Sequence, residues 1–254
     1  MWPLDLADRI TSLPFKEARN LPPNRFRIRA GTGGRVLFNQ MHFRYMAVDF
    51  WMYAFATGLV QIDSRVLDIG CGCGRFAIVL RRLNHKGWKF SGYYTGVDVD
   101  KELIDWCNRH FPDKHFQFIW SDCYNKIYNP SGSRQRRIPI PLESESQDFV
   151  FSTSLFTHLL DEDLTAYLGE SHRVLRSGKA ICMSVFCLDL LKGGAYSPER
   201  FRHQIGPAFV ADPLRPESAV AYPQAHLERR CREAGFGAVR IDTQGGQPNL
   251  IARK

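Results

Sequence analysis

Residues Val66–Phe76 read VLDIGCGCGRF. A short apolar run ends on an acid, and glycines follow at 70, 72 and 74. The run suits a short buried strand, and Phe76, Ile78, Val79 and Leu83 then recur at helical spacing over 74–83. Bare backbone between a strand and a helix allows a close approach that side chains would block. The alternation continues outward. Tyr93–Val97 reads as a second strand closing on Asp98. Lys101–His110 reads as a helix stopped by Phe111-Pro112. Phe116–Trp120 is a third strand, ending at Asp122, and Asp148–Ser152 a fourth. A helix over Asp161–Leu175 is expected to stop at Ser177-Gly178, before a fifth strand over Ala180–Cys187. A helix over Gln224–Ala234 ends at Gly235. Val239–Asp242 and Asn249–Ala252 flank Gly245-Gly246, a hairpin signal that adds one antiparallel strand. Strands alternating with helices imply a parallel sheet wound on both faces. Ligands of such sheets bind beyond the carboxyl ends of the strands, where the glycines stand.

Three stretches break the alternation. Residues 1–60 form a leading segment with an aromatic-rich helix over Phe38–Thr57, read as packed on the core, with some rings free to cap a ligand. Residues 123–147, rich in Pro, Ser and Arg, read as a long functional or disordered loop. Residues 188–223, with five prolines, read as irregular. Asn84–Gly92 reads as a loop insertion. The domain reading is therefore an N-terminal cap over 1–60 and a main domain over 61–254 with insertions at 123–147 and 188–223.

The chain has 254 residues, 44% of them hydrophobic, enough for one well-buried domain. Its seven cysteines form no CxxC pair, so neither a disulfide framework nor a zinc site is expected. The N-terminus lacks a basic region before an apolar core. The apolar stretch over 50–60 is about half the length that crosses a bilayer. A cytoplasmic protein with no membrane span is expected. The net charge of +8 suits an acidic partner such as RNA, a phosphorylated substrate or a membrane surface, although a solvated basic surface is the simpler reading.

The glycine spacing departs from the dinucleotide pattern, since position 75 is Arg. Asp68, two residues before the first glycine, would repel a pyrophosphate but can accept from an ammonium group. S-adenosylmethionine has an amino-acid end and no phosphate, and suits the motif better. Asp98, closing the second strand, can accept from both ribose hydroxyls. It stands 28 residues after Gly70, more than the roughly twenty usual in such folds, the surplus being the 84–92 insertion. Asp122 is placed to accept from an adenine amino group. Cys71, Val99 and Cys123 adjoin these positions, and Ser152 and Thr153 reach the cofactor through backbone groups. The candidate cofactor set is Asp68, Gly70, Cys71, Gly72, Gly74, Asp98, Val99, Asp122, Cys123, Ser152 and Thr153.

On these residues the region 65–187 resembles class I S-adenosylmethionine-dependent methyltransferases. VLDIGCGCGRF is similar to the family's first motif, GVDVD to its second and FIWSD to its third. LGESHRVLRSG (168–178) is similar to the segment after the fourth strand in the small-molecule branch, with Lys179 where a second glycine is common. The resemblance implies an α/β fold: a Rossmann-like doubly wound seven-stranded sheet with an antiparallel C-terminal hairpin strand, here plus an N-terminal helical cap. It also implies methyl transfer that leaves S-adenosylhomocysteine. PPxxxR at 22–27, YNPSG at 128–132 and FTHL at 156–159 are similar to bacterial methyltransferases thought to act on sugars or secondary metabolites.

His158, just past the fourth strand, is the candidate base for a hydroxyl acceptor, with packing or capping as its other reading. Arg134, Arg136, Arg137 and Tyr128 are the candidate substrate contacts if the 123–147 loop covers the site; otherwise the arginines are surface. No metal site is expected: Asp161, Glu162 and Asp163 diverge around a helix start and favour its positive end. A small-molecule substrate, most simply a hydroxyl of a sugar or secondary metabolite, is the leading expectation, in a monomer or homodimer. N- or C-methylation stays open. RNA or another nucleic acid is the rival acceptor, disfavoured because Ser152-Thr153-Ser154-Leu155 lacks the proline run of base-amine methylases. A fold-sharing partner that has lost catalysis is a third reading.

Overall fold

The computed structural model describes residues 3–13, 18, 20–32, 34–85, 87–125, 129–133, 140–191, 197–243 and 247–254. Three helices lead: α1 (Pro3–Ser12), α2 (Asn24–Arg29) and α3 (Gln40–Ala56). Then come β1 (Arg65–Ile69), α4 (Arg75–Arg82), β2 (Asn84–His85), β3 (Trp88–Lys89), β4 (Tyr93–Asp98), α5 (Lys101–His110), β5 (Phe116–Trp120), β6 (Gln147–Ser152), α6 (Asp161–Val174) and β7 (Leu175–Ser184). The chain closes with β8 (Phe186–Cys187), β9 (His203–Ile205), β10 (Ala208–Val210), β11 (Val220–Tyr222), α7 (Gln224–Glu233), β12 (Ala238–Asp242) and β13 (Asn249–Arg253).

Seven strands form one sheet in the order β12-β13-β7-β6-β1-β4-β5. β7, β6, β1, β4 and β5 are parallel, and β13 enters antiparallel to both β7 and β12. This is the doubly wound sheet with a reversed hairpin strand that the alternation predicts. Alternate side chains feed two cores. Val66, Phe149 and Phe151 join α3, α4 and α5 on one face. Leu67, Ile69 and Val150 join α6 and α7 on the other.

The aromatics of α3 are mostly core. Phe43, Phe50 and Trp51 are buried. Phe50 lies 4.6 Å from the Phe151 ring and 5.1 Å from that of Phe76, and the Trp51 indole donates to the Phe76 carbonyl at 3.0 Å. The leading segment is thereby pinned across β6 and α4. A close approach fixes β4 against the glycine loop and β5 too. A methyl group on Gly96 would fall 2.7 Å from the Cys71 sulfur and 2.9 Å from the Phe118 ring. Gly96→Ala is therefore expected to lower stability by about 1–3 kcal/mol through overpacking, read as a fall in denaturation midpoint.

The structure corrects four expectations. Asn84–Gly92 is not plain loop but holds the β2–β3 hairpin. The helix expected to reach Leu175 ends at Val174. Leu175 is already extended and pairs with Gln147, and the register slips before Phe149 pairs with Ala180. Gly178, at φ +75°, sits in that irregularity rather than at a helix end. The expected fifth strand stops at Ser184, because Phe186–Cys187 leaves the main sheet to pair with β11. The described residues within 188–223 are not wholly irregular: they include β9, β10 and β11, which join β8 in a second, four-stranded sheet of order β8-β11-β10-β9. Its own core holds Phe186, Phe201 and Ala221.

Candidate functional site

The carboxyl ends of β6, β1, β4 and β5 meet along one edge of the sheet, and a cavity of about 440 Å³ opens there. The glycine loop forms one wall. Gly70, Gly72 and Gly74 all have positive φ (80°, 53° and 75°), a conformation that side chains disfavour. The Gly70 and Cys71 N–H groups donate to the Val97 carbonyl at 2.8 and 3.1 Å, tying the loop to β4. The Gly72 N–H donates to Asp98 Oδ2 at 2.7 Å, and the Asp100 N–H to Asp98 Oδ1 at 2.8 Å. One carboxylate thus shapes both the loop and the start of α5. Burial holds the Asp98 carboxyl above its usual range, partly offset by these backbone donors.

The N-terminal cap closes the near side. Arg29, Ala30 and Gly31 line the cavity. Arg29 pairs with Asp100 and with Glu102, the latter at 2.6 Å. Arg75 donates to the carbonyls of Ala30, at 2.7 Å, and Gly31. Its guanidinium lies 4.7 Å from the Phe43 ring centroid. A methyl group on Gly72 would stand 3.0 Å from the Ala30 side chain, so cap and glycine loop are in contact. Arg75→Ala is expected to free the cap. The readouts are faster tryptic cleavage within 20–32 and a stability loss of about 1–3 kcal/mol from two charge-assisted hydrogen bonds.

The far side is built after β6. Ser154 adopts φ +61°, unusual for a residue with a side chain, and its N–H donates to Ser184 Oγ at 2.6 Å. The chain then makes a short turn over Phe156–His158. His158 lines the cavity, with Nδ1 2.8 Å from the Glu217 carbonyl. A carbonyl only accepts, so Nδ1 carries the proton and Nε2 is the ring's acceptor. Burial holds the imidazole below its ordinary value. Glu217 and Ser218, contributed by the second sheet's connecting turn, complete this wall with Asp163 and Tyr167 of α6. Burial pushes the Tyr167 phenol up, so it stays protonated.

The sequence candidates divide by position. Gly70, Cys71, Gly72, Asp98, Val99, Cys123, Thr153 and His158 all line the one cavity. Asp68, Gly74, Asp122 and Ser152 do not. Asp68 is fully buried and accepts from the Tyr94 hydroxyl through Oδ2, while Oδ1 has no hydrogen-bond partner. Burial pushes its carboxyl up to about 8. Gly74 caps α4 and packs near Cys107 and Phe111. Asp122 accepts from Asn129 at 3.3 Å, and the Ser152 hydroxyl donates to the Ile69 carbonyl at 2.7 Å. Tyr128, Arg134, Arg136 and Arg137 lie outside the described residues. Sequence reading missed Arg29–Gly31, Asp100, Tyr167, Glu217 and Ser218. A signal existed for Asp100, the cap residue of α5, whose carboxylate accepts from Glu102 and Leu103 N–H. Asp161 is drawn off to Arg230 and His226. No group of metal-binding side chains occurs among the described residues, and the cysteines are buried free thiols.

A family model of methyltransferase domains matches residues 67–183. Among solved structures, an S-adenosylmethionine-dependent methyltransferase from Methanosarcina mazei superposes with a TM-score of 0.54 at 19% identity. The match covers 80% of this chain and 97% of that one. One from Aquifex aeolicus gives 0.53 at 19% identity, over 83% and 91% of the chains. A Nostoc punctiforme protein provisionally described as an O-methyltransferase gives 0.56 at 14% identity, over 82% and 56%. At these identities the likeness to the solved structures is one of fold.

Proposed function

We propose that the chain is an S-adenosylmethionine-dependent methyltransferase, a reading supported by the methyltransferase-domain match over residues 67–183 and by the shared fold, and that it methylates a hydroxyl group of a small molecule, with His158 as the base. The observation that carries this is the shared cavity. The glycine loop and Asp98 bound one end and His158 the other, and the chain's own cap and second sheet help to wall it. A volume of about 440 Å³ lies within the roughly 300–1,000 Å³ of small-molecule pockets.

The residues suit the cofactor. Gly70 and Gly72 present bare backbone at positive φ. Asp98 keeps lone pairs beyond those used by its two backbone donors, so it would take the ribose hydroxyls. Cys123 and Val99 would flank the base. When bound, S-adenosylmethionine supplies a methyl group activated by its positive sulfur. The protein's task is then to align the acceptor and remove its proton. The Glu217 carbonyl holds the His158 ring by Nδ1, and Nε2 accepts the hydroxyl proton. Burial keeps that ring neutral, and therefore basic, at neutral pH.

The test is calorimetric titration with S-adenosylmethionine and S-adenosylhomocysteine, followed by an assay of S-adenosylhomocysteine release. Hydroxylated sugars and metabolites are compared with amines and with RNA as acceptors. Release with the hydroxylated compounds is the expected result. Turnover on RNA or amines alone would replace the acceptor class. No cofactor binding by folded protein would overturn the reading.

A further inference from the structure

Helix α1 is amphipathic in the reverse sense to an ordinary surface helix. Its polar residues Asp5, Asp8 and Ser12 are buried. Asp5 pairs with Arg25, and Asp8 with Arg27. Gln40 donates to Asp8 Oδ1 at 2.7 Å and to Ser12 Oγ at 2.9 Å. The apolar residues are on the outside: Leu6, Ile10 and Leu13 are 51%, 60% and 63% exposed. Leu6 and Ile10, four residues apart, share one face of α1, and Leu13 follows in the turn after the helix. A core-seeking helix packs that face inward. Here the buried ionic pairs hold it outward.

A second feature points the same way. Phe38, two residues before Gln40, is 71% exposed and takes φ +53°, a strained conformation for a bulky residue. Val36 and Leu37 beside it are 50% and 38% exposed. Asn24 and Asn39 join this turn to the same polar network, through the Val36 carbonyl and Asn24 Oδ1.

The charge around this surface identifies its occupant. Arg9 on α1, Arg35 before the turn and Arg44 on α3 reach the surface without an ion-pair partner among the described residues. Asp5 and Asp8 are turned inward, leaving Asp49 as the exposed acid of the described cap. Apolar side chains bordered by free cations match an interface of acyl chains under anionic headgroups. A symmetric contact with a second copy would instead bring like cations together. No described helix is long and apolar enough to cross a membrane.

We propose that the N-terminal cap docks on an anionic lipid surface, with Leu6, Ile10, Leu13 and Phe38 in the interfacial layer and Arg9 and Arg35 on the headgroups. The test is flotation of the whole chain with vesicles of phosphatidylcholine alone or mixed with phosphatidylserine, at low and high salt. Binding to the mixed vesicles is expected to be roughly tenfold stronger, and to weaken with salt. Leu6→Asp with Ile10→Asp should reduce it roughly tenfold or more, while cofactor binding and the melting curve stay unchanged. Arg9→Ala with Arg35→Ala should remove the preference for phosphatidylserine. Absence of flotation with either vesicle, or full flotation of the Asp variant, would overturn the proposal. So would a homodimer that fails to float and that the Asp variant splits into monomers, which would assign the face to a second copy.

Discussion

Asp98→Ala is expected to weaken S-adenosylmethionine binding by roughly a hundredfold. The figure is two charge-assisted hydrogen bonds at about 1.5 kcal/mol each. The carboxylate acts twice: it would take the ribose hydroxyls, and it holds the Gly72 and Asp100 N–H groups. Removing it strands two backbone donors as well as the ligand contact. Calorimetry on Asp98→Ala and Asp98→Asn separates the two parts. The amide oxygen can still accept one backbone bond but carries no charge, so Asn should bind between wild type and Ala. A wild-type affinity in the Ala variant would take Asp98 out of the cofactor site.

His158→Ala is expected to lower kcat by roughly 10²–10⁴-fold, the range for a lost general base, while cofactor affinity changes little. The pH profile carries further information. Burial lowers the imidazole's value, so its neutral form is already dominant at neutral pH. The wild-type rate is therefore expected to be level above the ordinary histidine range and to fall only on its acid side, where the ring gains a proton. In the Ala variant that acid limb should disappear. Retention of both full turnover and the acid limb would return His158 to a packing role, its ring simply bonded to the Glu217 carbonyl.

Much of the fold was legible because its signals are local. β1, β4, β5 and β6 are short apolar runs, and α5 runs from Lys101 to His110 between a capping acid and a proline. The four strands β8–β11 were not legible. Each has two or three residues, too few for alternation to show, and prolines between them read as irregular chain. The early end of α6 was also hidden. Arg173 donates to the carbonyls of Ile140 and Leu142 at 2.8 Å, a contact with a distant loop that no local turn signal announces.

Sequence alone determined the doubly wound sheet, the reversed hairpin strand and the position of the glycine loop at the strand ends. Periodicity and turn chemistry act over a few residues and survive in the linear chain. Only the tertiary structure decided which strand-end groups face the cavity. Asp98 lines it, while Asp68 and Ser152 are buried within the sheet, bonded to Tyr94 and the Ile69 carbonyl. It also decided that Arg29–Gly31 close the site through Arg75, 45 residues from Ala30, and that Glu217 orients His158 from 59 residues away. Those contacts depend on how packed layers bring remote segments together, and no short-range pattern encodes that.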